Sequence, residues 1–171
     1  MRTALYPGTF DPVTIGHLDV VERASRIFDC VIVGVGDNPE KACAFSLQER
    51  LAMMQREAGH LKNVQVKAFR GLMVDFAKAE EVSVVLRGIR TVSDLEYEIQ
   101  MAFTNRSSAG IETVFIAPKP EHAFINARFI KEIARGGGRV GGMVSPAVEA
   151  DLRARLAPAR RARRRPGKGS K

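Results

Sequence analysis

The stretch that decides the fold lies near the start of the chain and reads Tyr6-Pro7-Gly8-Thr9-Phe10-Asp11-Pro12-Val13-Thr14-Ile15-Gly16-His17. An apolar run at residues 3–6 precedes it and predicts a short buried strand. A periodic segment at residues 18–28 follows it and predicts an amphipathic helix. A glycine-containing loop between a strand and a helix points backbone N–H groups and a helix N-terminus at a phosphate. His17 adds an imidazole that can donate to phosphate oxygens, and Gly16 lets a ligand approach the backbone.

Apolar and amphipathic segments alternate along the rest of the chain. This alternation predicts an α/β fold, a Rossmann-like five-stranded parallel sheet with right-handed crossovers and helices on both faces. In such sheets ligands bind beyond the carboxyl ends of the strands, where the candidate polar side chains of this chain fall. The predicted strands are residues 3–6, 30–36, 64–69, 82–86 and 112–117, and the predicted helices are residues 18–28, 46–60, 72–81, 93–108 and 126–135, with a last helix that begins at Ser145-Pro146.

The net charge of +8 is concentrated at the C-terminus. Nine of the 27 lysines and arginines lie between residue 153 and the end, with no acidic residue among them, which leaves 18 basic residues against 19 acidic ones. A basic binding face on the fold is therefore not indicated, and weak nucleic-acid binding is expected only of the tail, if at all. We predict one domain at residues 1–157 and a basic, disordered tail at residues 158–171.

Composition also indicates the compartment. No apolar run approaches the roughly 20 residues that span a bilayer, and the N-terminus lacks the basic and long apolar regions of a signal peptide. Cys30 and Cys43 lack the spacing of metal ligands, and Cys30 lies in an apolar run typical of a core strand. These features favour a cytoplasmic protein without a membrane partner.

Two motifs connect the chain to a known family. The run from Tyr6 to His17 resembles the bacterial phosphopantetheine adenylyltransferases of the nucleotidyltransferase superfamily, whose Thr/His-x-Gly-His motif stands here as Thr14-Ile15-Gly16-His17. The run Arg87-Gly88-Ile89-Arg90, with the segment that follows it as far as Glu98, resembles the same family. The resemblance covers about residues 2 to 156 and implies the nucleotidyltransferase type of Rossmann-like fold.

The resemblance implies a reaction and a set of partners. ATP would transfer AMP to 4′-phosphopantetheine, giving dephospho-CoA and pyrophosphate in coenzyme A synthesis. The family also implies a homo-oligomer, a hexamer, and Mg²⁺ that accompanies ATP. The sequence shows no dedicated cluster of metal ligands, so no residue is assigned to the metal.

Site residues follow from the matched positions. His17 would be the catalytic residue that stabilises the α-phosphate in the transition state. The residues implied to bind 4′-phosphopantetheine are Thr9, Lys41, Met73 and Arg87. The residues implied to bind ATP are Thr9, Phe10, His17, Gly88, Ile89, Arg90, Glu98, His122, Ala123, Phe124, Ile125, Asn126, Ala127 and Arg128.

The last motif departs from the family pattern. The family usually has Phe-Ile-Ser-Ser-Ser (or Thr) before the helix at 126–135, and those hydroxyls serve the triphosphate. Here the run is Phe124-Ile125-Asn126-Ala127-Arg128, in which Asn126 can cap the helix and Arg128 adds a cation. His122 stands where the family commonly has an aromatic residue. We therefore expect Arg128 to take over contacts that the hydroxyls would make.

Each motif also has a purely structural interpretation. Thr14 would cap a helix, Arg87 and Arg90 would pair with Glu96 or Glu98, and Lys41 would be a solvated charge. Met73 would be a core residue. Two other functions remain open: a related nucleotidyltransferase with another acceptor, such as nicotinamide mononucleotide or glycerol phosphate, and a non-catalytic nucleotide-binding fold whose tail binds nucleic acid.

Overall fold

A computed structural model describes residues 2–39 and 42–158 and confirms the predicted architecture. One five-stranded parallel sheet has the strand order β3-β2-β1-β4-β5. Lys41 and residues 159–171, which make up nearly all of the predicted tail, lie outside the described residues. The strands are β1 (Thr3–Gly8), β2 (Cys30–Asp37), β3 (Val64–Arg70), β4 (Val84–Gly88) and β5 (Glu112–Ile116). The helices are α1 (Ile15–Ile27), α2 (Leu47–Ala58), α3 (Met73–Ala79), α4 (Val92–Ala109), α5 (Ala127–Arg135) and α6 (Pro146–Leu156), with a 3₁₀ turn at Pro120–His122.

The central strands are buried on both faces. In β1, Ala4 and Tyr6 join the larger apolar cluster, whereas Leu5 between them joins a second cluster. The alternation of side chains along a strand therefore gives the sheet two cores, as its apolar runs predict. Helices α1, α2, α5 and α6 cover the larger cluster, and α3 covers the second.

Side-chain caps begin most of the helices where the sequence predicts. The Ser46–Glu49 capping box of α2 is confirmed, as are the caps of Asn126 on α5 and Ser145 on α6. The predicted start of α1 at residue 18 was three residues late. The Thr14 side chain accepts the His17 N–H at 3.3 Å, so the helix begins at Ile15 and His17 lies in its first turn.

Strand β4 lies two residues further along the chain than predicted. The Val82 N–H donates to the Ala77 carbonyl at 2.8 Å and closes the turn after α3, so pairing begins only at Val84. Arg87 and Gly88 are consequently part of the strand rather than of the loop after it. Within the described residues, no helix has the length and apolar character that a membrane crossing requires.

Candidate active site

A cavity of about 730 Å³ opens at the carboxyl ends of β1 and β4. These strands are neighbours in the sheet, and the loop after β1 faces the segment between β5 and α5 across the cavity. The location agrees with the rule for open parallel sheets. The predicted site residues that line this cavity are Thr9, Phe10, His17, Arg87, Gly88, Arg90, Glu98, His122, Ile125, Asn126, Ala127 and Arg128.

His17 is held by hydrogen bonds and by an aromatic ring. The Thr14 N–H donates to His17 Nδ1 at 3.1 Å, and the Phe10 ring meets the imidazole edge-on with centroids 5.1 Å apart. Because Nδ1 accepts this hydrogen bond, the ring proton of neutral His17 belongs on Nε2. Burial, with smaller contributions from the charges of Arg90 and Arg87, lowers the pKa of His17 to about 4. At neutral pH the residue is therefore an uncharged N–H donor on the cavity wall.

The depressed pKa of His17 has a consequence for stability. The pKa of a histidine in the unfolded chain is near 6.5, whereas the pKa of His17 in the folded protein is about 4. Between these two pH values the unfolded state binds a proton at this residue and the folded state does not. We expect the His17 contribution to the free energy of unfolding to be constant above pH 6.5. It should fall by an amount on the order of 3 kcal/mol as the pH drops to 4.

Urea titrations of the wild type and His17→Gln between pH 4.5 and 7.5 measure this contribution. The His17→Gln variant should show a shallower loss of stability on acidification. His60→Gln serves as the control, because the His60 side chain is 61% exposed. Parallel pH profiles for the wild type and His17→Gln would contradict the expectation.

Phe10 supports His17 through an unusual backbone conformation. Its φ is 50°, and its ring folds back over Gly8 while meeting Tyr6 edge-on at 5.5 Å. A Cβ at Gly8 would lie 2.7 Å from the Phe10 ring, closer than any side chain tolerates. Gly8, the last residue of β1, is therefore needed for the packing that holds His17.

Arg87 and Glu98 form a bidentate ion pair in the cavity wall. Arg87 Nε donates to the Glu98 carboxylate at 2.7 Å, Nη2 donates to the other carboxylate oxygen, and Nη1 donates to the Pro7 carbonyl at 2.9 Å. Burial is the largest single influence on the pKa of Arg87 and lowers it, but the hydrogen bonds and the charge of Glu98, with smaller contributions from Tyr6 and Tyr97, together raise the pKa above its ordinary value. The structure thus confirms the expected pairing of Arg87 with Glu98. Both residues also line the cavity, so the pairing leaves them within the candidate site.

The other cations of the described cavity wall are paired as well. Arg90 Nε lies 3.2 Å from the Asp94 carboxylate, and its Nη1 donates to the Ile125 carbonyl at 2.8 Å. Lys131 donates to Asp11, whose carboxylate is buried. Arg128 Nε lies 3.1 Å from Glu132. Each of these cations keeps further N–H donors, so the wall suits a ligand with several phosphate groups.

The sequence comparisons place the chain in a family. Residues 5–133 match the cytidylyltransferase-like family model. The phosphopantetheine adenylyltransferase of Gloeobacter violaceus is 50% identical over 157 residues, covering 91% of this chain and 98% of that protein. The phosphopantetheine adenylyltransferase of Nostoc sp. is 49% identical over 150 residues, covering 87% of this chain and 78% of that protein. This chain belongs to the phosphopantetheine adenylyltransferase family. The family membership confirms the resemblance drawn from the motifs.

Solved structures support the same fold. A protein of Vibrio parahaemolyticus, described as a candidate nicotinate-nucleotide adenylyltransferase, gives a TM-score of 0.65 at 17% identity, covering 89% of this chain and 91% of that one. A lipopolysaccharide core biosynthesis protein of Thermoplasma volcanium gives a TM-score of 0.51 at 20% identity, covering 70% of this chain and 97% of that one. At these identities the likeness concerns the fold alone.

Of the predicted site residues that the structure describes, four are not among those that line the cavity. Met73 packs against the second apolar cluster at the start of α3, and Phe124 is 66% exposed. Ile89 and Ala123 are not among the lining residues either. Met73 therefore makes the apolar packing contacts expected of a core residue.

Four polar residues with notable positions in the structure were not predicted from the sequence. Asp11 and Lys131 lie in the cavity wall. Buried Asp19 accepts the Lys119 N–H at 3.1 Å and so anchors the segment after β5 to α1. Arg50 is buried on α2. The position of Arg50, between Leu47 and Met54 on the apolar face, was the one available signal.

Proposed function

We propose that this chain transfers the AMP moiety of ATP to 4′-phosphopantetheine in the cytoplasm, giving dephospho-CoA and pyrophosphate. The observation that carries the proposal is His17, a neutral donor in the cavity wall with Arg87 and Arg90 close enough to lower its pKa. Family membership with relatives at about 50% identity supports the same reaction.

The chemistry requires little more than positioning and charge stabilisation. A phosphate oxygen of 4′-phosphopantetheine, already ionised, forms a bond to the α-phosphorus of ATP. The bond from that phosphorus to the bridging oxygen of the β-phosphate breaks, and its electron pair leaves with pyrophosphate. No general base is needed, and the cavity carboxylates Asp11, Asp94 and Glu98 are each bound to a cation. In-line placement and N–H donors at the developing charge supply the rate enhancement.

The binding roles are proposed from the family positions. Arg87 donates three N–H groups to Glu98 and to the Pro7 carbonyl. Because a guanidinium has five N–H groups, two remain that can bind the acceptor phosphate. Arg90 and the segment before α5 would hold the nucleotide, since Arg90 is tied to the Ile125 carbonyl. The proposed acceptor contacts are Thr9, Lys41, Met73 and Arg87, and the proposed ATP contacts are Thr9, Phe10, His17, Gly88, Ile89, Arg90, Glu98 and residues 122–128.

Mg²⁺ is proposed to enter with ATP. The described residues contain no group of three or more metal-ligating side chains, and the cavity carboxylates already pair with cations. This donor set fits an ion held chiefly by phosphate oxygens and water, to which Asp11 or Asp94 of the cavity wall could add a carboxylate oxygen. When bound, the ion neutralises phosphate charge.

An acceptor comparison tests the proposal. The full chain is incubated with ATP and with 4′-phosphopantetheine, nicotinamide mononucleotide or glycerol phosphate, and pyrophosphate release is measured. We expect release with 4′-phosphopantetheine alone. Faster release with another acceptor would favour a related nucleotidyltransferase, and no release with any acceptor would favour a non-catalytic protein.

Arg128 is proposed to contact the β- or γ-phosphate in place of the family hydroxyls. Its side chain is 81% exposed and, among the described residues, pairs with Glu132, so it can turn towards a triphosphate. Arg128→Ala should raise KM for ATP about fivefold, the loss of one exposed charge-assisted hydrogen bond, and leave KM for the acceptor unchanged. The control is Arg135→Ala, in the last turn of the same helix. Unchanged ATP kinetics would make Arg128 a surface charge.

The family assembly is proposed to be a hexamer built on an apolar surface of α4 and β5. Phe103 is 68% exposed and Val92 is 75% exposed on α4, which packs against edge strand β5 with its half-exposed Phe115. Patches of this kind commonly mark protein interfaces. We expect Phe103→Glu to reduce the mass seen by analytical ultracentrifugation, whereas Ile27→Glu on α1 should not. A monomeric wild type would contradict the assembly.

A further inference from the structure

Arg50 is the largest fully buried side chain of the described residues, with 1% of its surface exposed. It lies in the first turns of α2, and its guanidinium donates to three main-chain carbonyl oxygens. The distances are 2.6 Å to Thr9, 2.8 Å to Gly36 and 3.2 Å to Phe45. The Asp37 carboxylate lies 3.7 Å away. Arg50 is thus bound mainly by backbone rather than by an acidic partner.

The three carbonyls belong to separate segments of the chain, and of the three residues Thr9 lines the cavity. Thr9 lies in the loop after β1, Gly36 near the end of β2, and Phe45 in the segment that leads into α2. Asp11 also binds the segment that leads into α2, because its carboxylate accepts the N–H groups of Ala44 at 2.9 Å and Phe45 at 3.0 Å. The loops that follow β1 and β2 are therefore cross-linked through Arg50 and Asp11.

A guanidinium at this place is not explained by packing. Burial of a charge is costly, and the neighbouring buried positions of the same helix, Met53 and Met54, are filled by apolar side chains. What arginine adds is a rigid planar fork whose five donors can reach three fixed acceptors at once. A lysine has a single ammonium group and cannot satisfy the three separated carbonyls in the same way.

We propose that Arg50 is a positioning residue for adenylyl transfer. It does not reach the cavity itself. It acts through Thr9, which lines the cavity, and through the Phe45 peptide, which follows the lining residues Ala42 and Cys43. By fixing the two loops relative to each other, it fixes the distance between the reacting phosphates. This inference rests on the proposed function.

The test compares Arg50→Lys with Met54→Ala, a destabilising cavity variant on the same helix whose wild-type thioether has no hydrogen to donate to the three carbonyls. Thermal stability, kcat and both KM values are measured on the full chain at a temperature where each variant is folded. A misplacement of about 1 Å costs roughly 10²-fold in rate, so kcat of Arg50→Lys should fall by about 10–100-fold, with both KM values changed less than fivefold. Met54→Ala should keep kcat within twofold.

The outcomes separate the two hypotheses. Suppose that the wild type turns over. The positioning role is then wrong if kcat of Arg50→Lys is unchanged, or if kcat of Met54→Ala falls as much as that of Arg50→Lys, and the proposed function stands in either case. No turnover by the wild type overturns the proposed function instead. If Arg50→Lys does not fold, Arg50→Gln takes its place in the same comparison. If neither variant folds at any temperature, Arg50 is a determinant of the fold, and the positioning proposal is wrong.

Discussion

Replacement of His17 by alanine is expected to lower kcat by about 10²–10³-fold, the usual loss for one donor to a developing negative charge. The Kd for ATP should change little, because the donor is proposed to strengthen its hydrogen bond only as charge develops on the α-phosphate. Pre-steady-state turnover and equilibrium ATP binding together measure the two quantities.

Alanine at position 17 also removes a helix cap, because Nδ1 accepts the Thr14 N–H. His17→Asn separates the two effects. Asparagine places a carbonyl oxygen near the position of Nδ1 and can keep the cap, yet it has no donor at the position of Nε2. We expect His17→Asn to fold with near wild-type stability and to share the kcat loss. Full activity in either variant would remove His17 from the mechanism.

Arg87→Met is expected to destabilise the fold by about 3 kcal/mol. The change leaves the Glu98 carboxylate buried without its bidentate partner, and removal of one member of a buried pair commonly costs several kcal/mol. The Arg87 side chain is 32% exposed, which places the expected value at the lower end of that range. Chemical denaturation measures it.

Two further variants test the cause of that loss. Glu98→Met added to Arg87→Met should restore most of the stability, since no charge is then stranded. Arg106→Met, which breaks an exposed pair with Glu112, should cost less than about 1 kcal/mol. A double variant as unstable as Arg87→Met would mean that the arginine stabilises through its bond to the Pro7 carbonyl instead.

Much of the fold could be predicted because its signals are local. The uninterrupted apolar run of β2, the Ser46–Glu49 capping box and the Ser145-Pro146 helix start are each encoded within a few residues. Errors fell at element ends, where a distant partner decides. The Val82 N–H pairs with Ala77 rather than joining a ladder, and this contact delays β4 by two residues.

The site was predictable in part for a similar reason. The two motifs lie at the carboxyl ends of the neighbouring strands β1 and β4. Their convergence therefore follows from the parallel topology. The pairings within the site join residues far apart in sequence, such as Asp11 with Lys131, and no local pattern encodes them. Arg50 belongs to the same class, since its three carbonyl partners become neighbours only when β1, β2 and α2 are assembled.

The central claim is that the acceptor phosphate itself attacks the α-phosphorus of ATP in this cavity. Isotope tracing tests it most directly, with 4′-phosphopantetheine labelled by ¹⁸O in its phosphate and mass spectrometry of both products. We expect dephospho-CoA that retains all of the label and unlabelled pyrophosphate in equal amount. Label in the inorganic product, ADP in place of pyrophosphate, or no dephospho-CoA would contradict the account.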